Sequence, residues 1–159
     1  MTTLLQWIYQ FSDKRDAWTI FKTLSGVYAA LSSVALNSAT VNIKSSAKET
    51  IETGAVVNVV VNGSPVSLSN DLELAVPAGT VENGTHNVFV WTVDSAGASY
   101  VQMGAPGSAR SEIRFPEIAP GRAVIAMAYI NPSGTGDFVG GTTDLDDGTV
   151  VPNAALVNI

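Results

Sequence analysis

The stretch from His86 to Ile130 constrains the fold of this chain more than any other. His86-Asn87-Val88-Phe89-Val90-Trp91-Thr92-Val93 has strand composition, turns through Asp94-Ser95-Ala96-Gly97, and returns as Ala98-Ser99-Tyr100-Val101-Gln102-Met103. β-branched and aromatic residues suit a pleated, half-buried surface, and an Asp-started, Gly-closed turn reverses the chain. A Pro-rich link, Phe115-Pro116-Glu117-Ile118-Ala119-Pro120-Gly121, leads to one more strand, Arg122-Ala123-Val124-Ile125-Ala126-Met127-Ala128-Tyr129-Ile130. Together these residues predict the β core of one globular unit.

The same composition begins at Ala39. Thr40-Val41-Asn42-Ile43-Lys44 alternates, and Ala55-Val56-Val57-Asn58-Val59-Val60-Val61 meets Asn62-Gly63 before Ser64-Pro65-Val66-Ser67-Leu68. Asn-Gly between β-branched runs predicts a two-residue hairpin. Pro65 has no amide to give a ladder, which places the returning strand at a sheet edge. Asp71-Leu72-Glu73-Leu74-Ala75-Val76 alternates again and stops at Pro77-Ala78-Gly79. Phe138-Val139 and the run from Val150 to Ile159 supply short closing strands. Closely spaced turn signals of this kind predict a mainly β chain, an antiparallel β-sandwich or barrel.

The first residues differ in character. Ser12 or Asp13 can cap a helix, and Asp16 near the first turn suits its dipole. Ala17, Phe21, Leu24, Tyr28, Leu31 and Ala35 then recur three or four apart, which is one helical face. Gly26 weakens that helix by roughly 1 kcal/mol relative to alanine, and Asn37-Ser38 is the expected stop. The predicted organisation is an N-terminal α-helical arm over residues 1–37 and a β-sandwich or barrel domain over residues 38–159. The spacing fits a helix packed on its own β domain, and equally a face or short coiled-coil seam turned toward another subunit. Upstream, Leu4-Leu5-Gln6-Trp7-Ile8-Tyr9-Gln10-Phe11 is rich in aromatics at a position that usually frays unless tied down. The interface candidates are therefore Trp7, Ile8, Tyr9, Phe11, Trp18, Phe21, Tyr28 and Leu31.

Composition narrows the function classes. Charged residues make up 14% of the chain and hydrophobic ones 46%, a balance that points to a surface partly covered by a partner. The 14 acidic against 8 basic residues give a net charge of −6, which argues against a nucleic-acid partner, since a phosphate-backbone reader needs a basic stripe. Without cysteine there is neither a disulfide framework nor a thiolate metal site. Residues 17–36 are apolar, yet Lys14-Arg15 lies far from the first residue, Lys22 interrupts the run, and Ser and Thr dilute it. Neither a secretory signal nor a membrane span is expected.

Catalytic motifs fare poorly. The single histidine, His86, opens a strand after a turn, and no G-x-S-x-G elbow is present. Asp144-Leu145-Asp146-Asp147-Gly148 is acidic but lacks EF-hand spacing and reads as a turn. Gly134-Thr135-Gly136 lacks the third glycine of a dinucleotide loop, since Val139 stands there. Asp94, Glu112 and Glu117 are read as solvated loop charges, not as a glycosidase pair. Trp91 and Tyr100 are candidates for a sugar-stacking platform, against the simpler reading that both fill the core. Asn62-Gly63-Ser64 and Asn83-Gly84-Thr85 match glycosylation sequons but read as hairpin turns. No enzyme activity, metal or cofactor is expected.

Taken together, "VFVWTVDSAGASYVQMG", "FPEIAPGRAVIAMAYI" and "GTGDFVGGTTDLDDGTVVPNA" resemble a diffuse group of tailed-bacteriophage virion proteins, the decoration, cement and head-fibre components. The resemblance covers mainly residues 88–159. It is carried by Asp94-Ser95-Ala96-Gly97, Pro116-Glu117-Ile118-Ala119-Pro120-Gly121, Ala123 to Ile130, and Gly141-Thr142-Thr143-Asp144-Leu145-Asp146. It implies a non-enzymatic structural protein that binds and stabilises a phage capsid through apolar subunit contacts. The implied partner is a major capsid protein or another virion protein, and the implied assembly a homo-oligomer, trimeric by analogy. The place would be the virion, after synthesis in the host bacterial cytoplasm. An alternative is a carbohydrate- or receptor-binding module of a head or tail appendage.

Overall fold

The computed structural model describes residues 33–37 and 39–158. Within them the chain is mainly β, built of antiparallel pairs throughout. The strands are β1 (Val34–Ala35), β2 (Val41–Ile43), β3 (Ile51–Thr53), β4 (Val57–Val61), β5 (Ser64–Leu68), β6 (Thr80–Val81), β7 (Asn87–Val93), β8 (Ser99–Met103), β9 (Ala123–Ile130), β10 (Phe138–Val139) and β11 (Ala155–Asn158). They form sheets of order β1-β4-β5, β11-β9-β7-β8, β2-β3 and β10-β6. A single 3₁₀ turn, Arg110–Glu112, lies between β8 and β9. Among the described residues no helix is long and apolar enough to cross a membrane.

Two tight hairpins, β4–β5 and β7–β8, follow their turn chemistry. Val61 pairs with Ser64 around Asn62-Gly63, and both turn residues have positive φ, 51° and 78°, the geometry whose twist matches that of the flanking strands. Pro65 stands opposite Val60 in β5, an edge strand. At the β7–β8 turn Asp94 Oδ1 accepts the N–H groups of Ala96 at 2.9 Å and Ala98 at 3.0 Å. Gly97 completes the reversal at φ 80°.

One apolar core runs through these strands. Val57, Val59 and Val61 of β4 join Phe89, Trp91 and Val93 of β7, with Ile125 and Ile130 of β9 and Phe138 of β10. In β9 the register slips between the partners of Trp91 and Thr92. Trp91 faces Ala126 and Thr92 faces Val124, leaving Ile125 as the extra residue of a bulge. Ile125 and Ala126 therefore both reach the core, at 0% exposure. Trp91 is fully enclosed, and its Nε1–H donates to Ala75 O at 2.8 Å.

That bond anchors a segment with strand-like alternation but another conformation. Residues 71–76 lie alongside β3 irregularly, with Leu74 N–H on Ile51 O and Thr53 N–H on Leu72 O. Asp71 takes a positive φ of 57°, and Thr53 Oγ1 accepts the Leu72 N–H at 2.9 Å. A side-chain hydroxyl replaces one rung of the ladder, and only an isolated bridge, Glu52 to Glu73, remains.

The helical arm expected over residues 1–37 lies almost wholly outside the described residues, but its last residues are β. Val34 and Ala35 pair with Val60 and Val59 of β4, so Ala35 belongs to a strand rather than to a helical face. The pairing continues through Leu36 N–H on Asn58 O at 2.8 Å. Asn37, expected as a helix stop, mimics a strand partner instead. Its Oδ1 accepts the Asn58 N–H at 2.7 Å and its Nδ2 donates to Val56 O at 3.0 Å. Strand pairing with β4 thus starts at Val34, within the residues assigned to the arm.

Trp91→Phe is expected to keep most of the volume but orphan the Ala75 carbonyl, costing about 1–3 kcal/mol. Trp91→Ala adds a cavity and should cost about 3–5 kcal/mol. Urea unfolding of the two variants checks both values and their order.

Candidate interaction surface

β7 is buried at all seven positions, so both of its faces are covered. Phe89, Trp91 and Val93 point to the core, and Val88, Val90 and Thr92 therefore point to the opposite face. The long link between β8 and β9 runs across that opposite face. Gly104 N–H donates to Val88 O at 2.8 Å, and His86 and Gly107 exchange two bonds of 2.9 Å. The link then doubles back, with Ala105 and Arg114 paired in a second bridge. A Cβ on Gly104 would lie 2.5 Å from Arg114 O, and one on Gly107 2.8 Å from Glu112, so the fold-back depends on glycine at both places. Further along, Gln102 Nε2 donates to Glu117 O at 3.3 Å.

Between the link and the sheet lies a groove of about 200 Å³. Val88 and Met127 form its floor, Arg110 and Tyr129 one wall, and Ile113, Phe115 and Val157 its rim. Register explains the gathering: Val88 stands opposite Tyr129, and Met127 opposite Val157, so all four share one sheet face. Phe115 is 64% exposed and Val157 41%, two of several exposed apolar side chains that include Leu36 at 60%. The wall is stiff. Tyr129 OH is hydrogen-bonded to His86 Nδ1, the two rings stack at 5.9 Å, and the Arg110 guanidinium lies 4.8 Å above the tyrosine centroid. Ser108 donates its N–H and Oγ–H to Glu112 Oε2, which holds that carboxyl below its ordinary pKa.

β11 borders this groove and has a second cavity, of about 220 Å³, on its other face. Ile43, Ala128, Leu145, Val151 and Leu156 line it, with Asp146 at the edge. The acidic loop of residues 144–147 shapes that rim. Asp147 Oδ1 accepts the Thr149 N–H at 2.8 Å, and Asp146 pairs with Lys48 Nζ at 2.9 Å.

At the far end of the sheet Tyr100, opposite Thr92, donates its hydroxyl to Asp94 Oδ2 at 2.8 Å. The Arg122 guanidinium covers the tyrosine ring at 3.6 Å from its centroid. The Tyr100 hydroxyl, then the amides of Ala96 and Ala98 and the Arg122 charge, hold the Asp94 carboxyl below the ordinary aspartate range against the opposing effect of desolvation. Tyr100 is raised in turn, first by its hydrogen bond to Asp94.

Trp91 and Tyr100 do not form a sugar-stacking platform. They lie on opposite faces of the sheet, with Trp91 enclosed in the core and Tyr100 beneath Arg122. The interface candidates Trp7, Ile8, Tyr9, Phe11, Trp18, Phe21, Tyr28 and Leu31 all lie outside the described residues. The exposed apolar residues at this groove, Phe115 and Val157, were missed in sequence. A phenylalanine directly before proline in a loop was the available signal. Compared with protein-family models, characterised proteins and solved structures, the chain matches none.

Asp94 gives a pH test. A carboxyl held lower in the folded chain than in the unfolded one stabilises fully above the unfolded value of about 3.9, and that contribution is lost as pH falls through the folded value. Asp94→Asn is therefore expected to flatten the acid limb of a stability–pH profile. Urea midpoints measured from neutral pH down into the acid limb check this, and equal slopes for both chains would refute it.

Proposed function

We propose that this chain is a non-enzymatic structural protein that works by apolar contact with its neighbours, in a two-layer antiparallel β-sandwich. The observation that carries the reading is the groove beside β11, whose rim exposes Phe115 and Val157. A groove lined mostly by apolar side chains with an aromatic at its rim suits contact with another apolar surface. The chemistry-bearing side chains serve the fold: His86 braces Tyr129, Asp94 shapes a turn, and Asp147 shapes another. The sheet order also favours two layers, since the β1-β4-β5 and β11-β9-β7-β8 sheets contribute to one core.

The resemblance over residues 88–159 suggests a tailed-phage particle as the setting, with the chain as a decoration or cement protein. Its partners would be copies of itself, as a trimer by analogy, and the major capsid protein or another virion protein. Burial at such contacts contributes roughly 25 cal/mol per Å² of apolar area before association costs.

Sedimentation of the full chain tests this. The native chain is expected to run as an oligomer, and Phe115→Ser combined with Val157→Lys to shift it toward single copies. A native chain that sediments as a single copy at every concentration overturns the reading.

A further inference from the structure

We propose that Asn62 is a site of spontaneous covalent modification, where the β4–β5 turn converts its own asparagine to aspartate or isoaspartate. The chain's other Asn-Gly pair, Asn83-Gly84, is locked against the same reaction. Glycine after asparagine leaves the attacking backbone nitrogen unhindered, since no Cβ stands beside it. The two pairs are closely matched in other respects: both asparagines are exposed, and both glycines stand at φ 78°. What differs is how firmly the reacting groups are held.

The reaction needs only water. The Gly63 backbone nitrogen attacks Asn62 Cγ; the N–Cγ bond forms, the Cγ–Nδ2 bond breaks, and Nδ2 leaves as ammonia with the proton the nitrogen gave up. Water then adds to one carbonyl of the resulting succinimide ring and breaks its C–N bond. One opening gives aspartate, and the other gives isoaspartate, whose main chain runs through the former side chain. Nothing is oxidised or reduced. Ring closure turns the peptide that follows the asparagine, so the local fold must open first.

At Asn83 that opening is opposed from several sides. The leaving nitrogen, Nδ2, donates to Gly134 O at 2.9 Å and to Gly136 O at 3.0 Å. The attacking nitrogen, that of Gly84, donates to Pro132 O at 2.7 Å. Asn83 N–H donates to Asp137 Oδ1 at 2.8 Å. Each bond that must break makes the open state rarer by a few-fold to about tenfold. At the β4–β5 tip the ladder ends with Val61 and Ser64, so the Gly63 amide lies beyond it. The Asn62 N–H donates to Ser33 Oγ at 3.1 Å, a bond upstream of the peptide that turns, which need not break. Exposed hairpin tips open at low cost.

The products alter the turn in place. Each puts a carboxylate where a neutral amide stood, beside Gly121, whose Cβ would lie 3.0 Å from Asn62 Nδ2. Isoaspartate also lengthens the main chain of a two-residue turn, whose length fixes the register of β4 on β5.

The native chain is incubated at mildly alkaline pH, with and without urea, and both Asn-Gly peptides are followed by mass mapping that separates aspartate from isoaspartate. In urea the two sites are expected to convert at comparable rates, since only the dipeptide then matters. In the folded chain Asn62 is expected to convert at least about tenfold faster than Asn83, the effect of the bonds that hold Asn83 and Gly84. A folded-state ratio no larger than the ratio in urea overturns the proposal. Conversion of neither site in the folded chain, with both converting in urea, also overturns it, because the β4–β5 turn would then protect its own asparagine.

Discussion

The fold depends on β7 being covered on both sides. Seven consecutive buried residues can exist only where something packs against each face, and a run this apolar would otherwise expose a flat, adhesive strip. On the core side the cover is the valine ladder of β4 together with the Phe138 ring, 5.8 Å from Phe89 between centroids. On the other side the cover is a loop. Residues 104–122 contain almost no regular structure, yet they sit down because Gly104 and Gly107 let backbone approach backbone where any side chain would collide. The bulge at Ile125 serves the same purpose from β9, since it turns one extra side chain inward without breaking the pairing with β7.

Coverage by a loop is less complete than coverage by a sheet. Thr92 Oγ1 and Gln102 Oε1 are enclosed on this side with no hydrogen-bond partner among the described residues, a cost of about 1–3 kcal/mol each unless water bonds them. The groove left beside Phe115 is the same imperfection at larger scale. An irregular lid cannot tile a pleated face, and the gap falls where the lid meets the outermost strand.

How much of this was legible follows from where each signal lives. Asn62-Gly63 and Asp94 through Gly97 encode their turns locally, so both hairpins were readable from a few residues each, and Pro65 correctly marked an edge. The 71–76 segment misled because its alternation was real but its ladder was interrupted by Thr53, a residue far away in sequence. Asn37 misled for a related reason: a side-chain amide can imitate either a helix stop or a strand partner, and only the position of Asn58 decides. The groove was illegible. Its walls come from β7, β9, β11 and the link, and no local pattern announces that Val88, Tyr129 and Val157 will share one face. The eight aromatic and aliphatic interface candidates all precede Ser33, outside the described residues.

One bond between distant parts of the chain has a dynamic consequence. Asn158 Oδ1 takes the amide hydrogen of Val41 at 3.1 Å, across 117 positions. It joins the β2–β3 hairpin to the outermost strand of the largest sheet through a single side chain, worth about 1 kcal/mol. The hairpins around it close early and locally, whereas this latch must wait for nearly the whole chain to be in place. It is also among the first contacts to let go, because the strand it fastens is short and half-exposed. One margin of the molecule thus hangs on a late and weak contact, while its centre is fully buried.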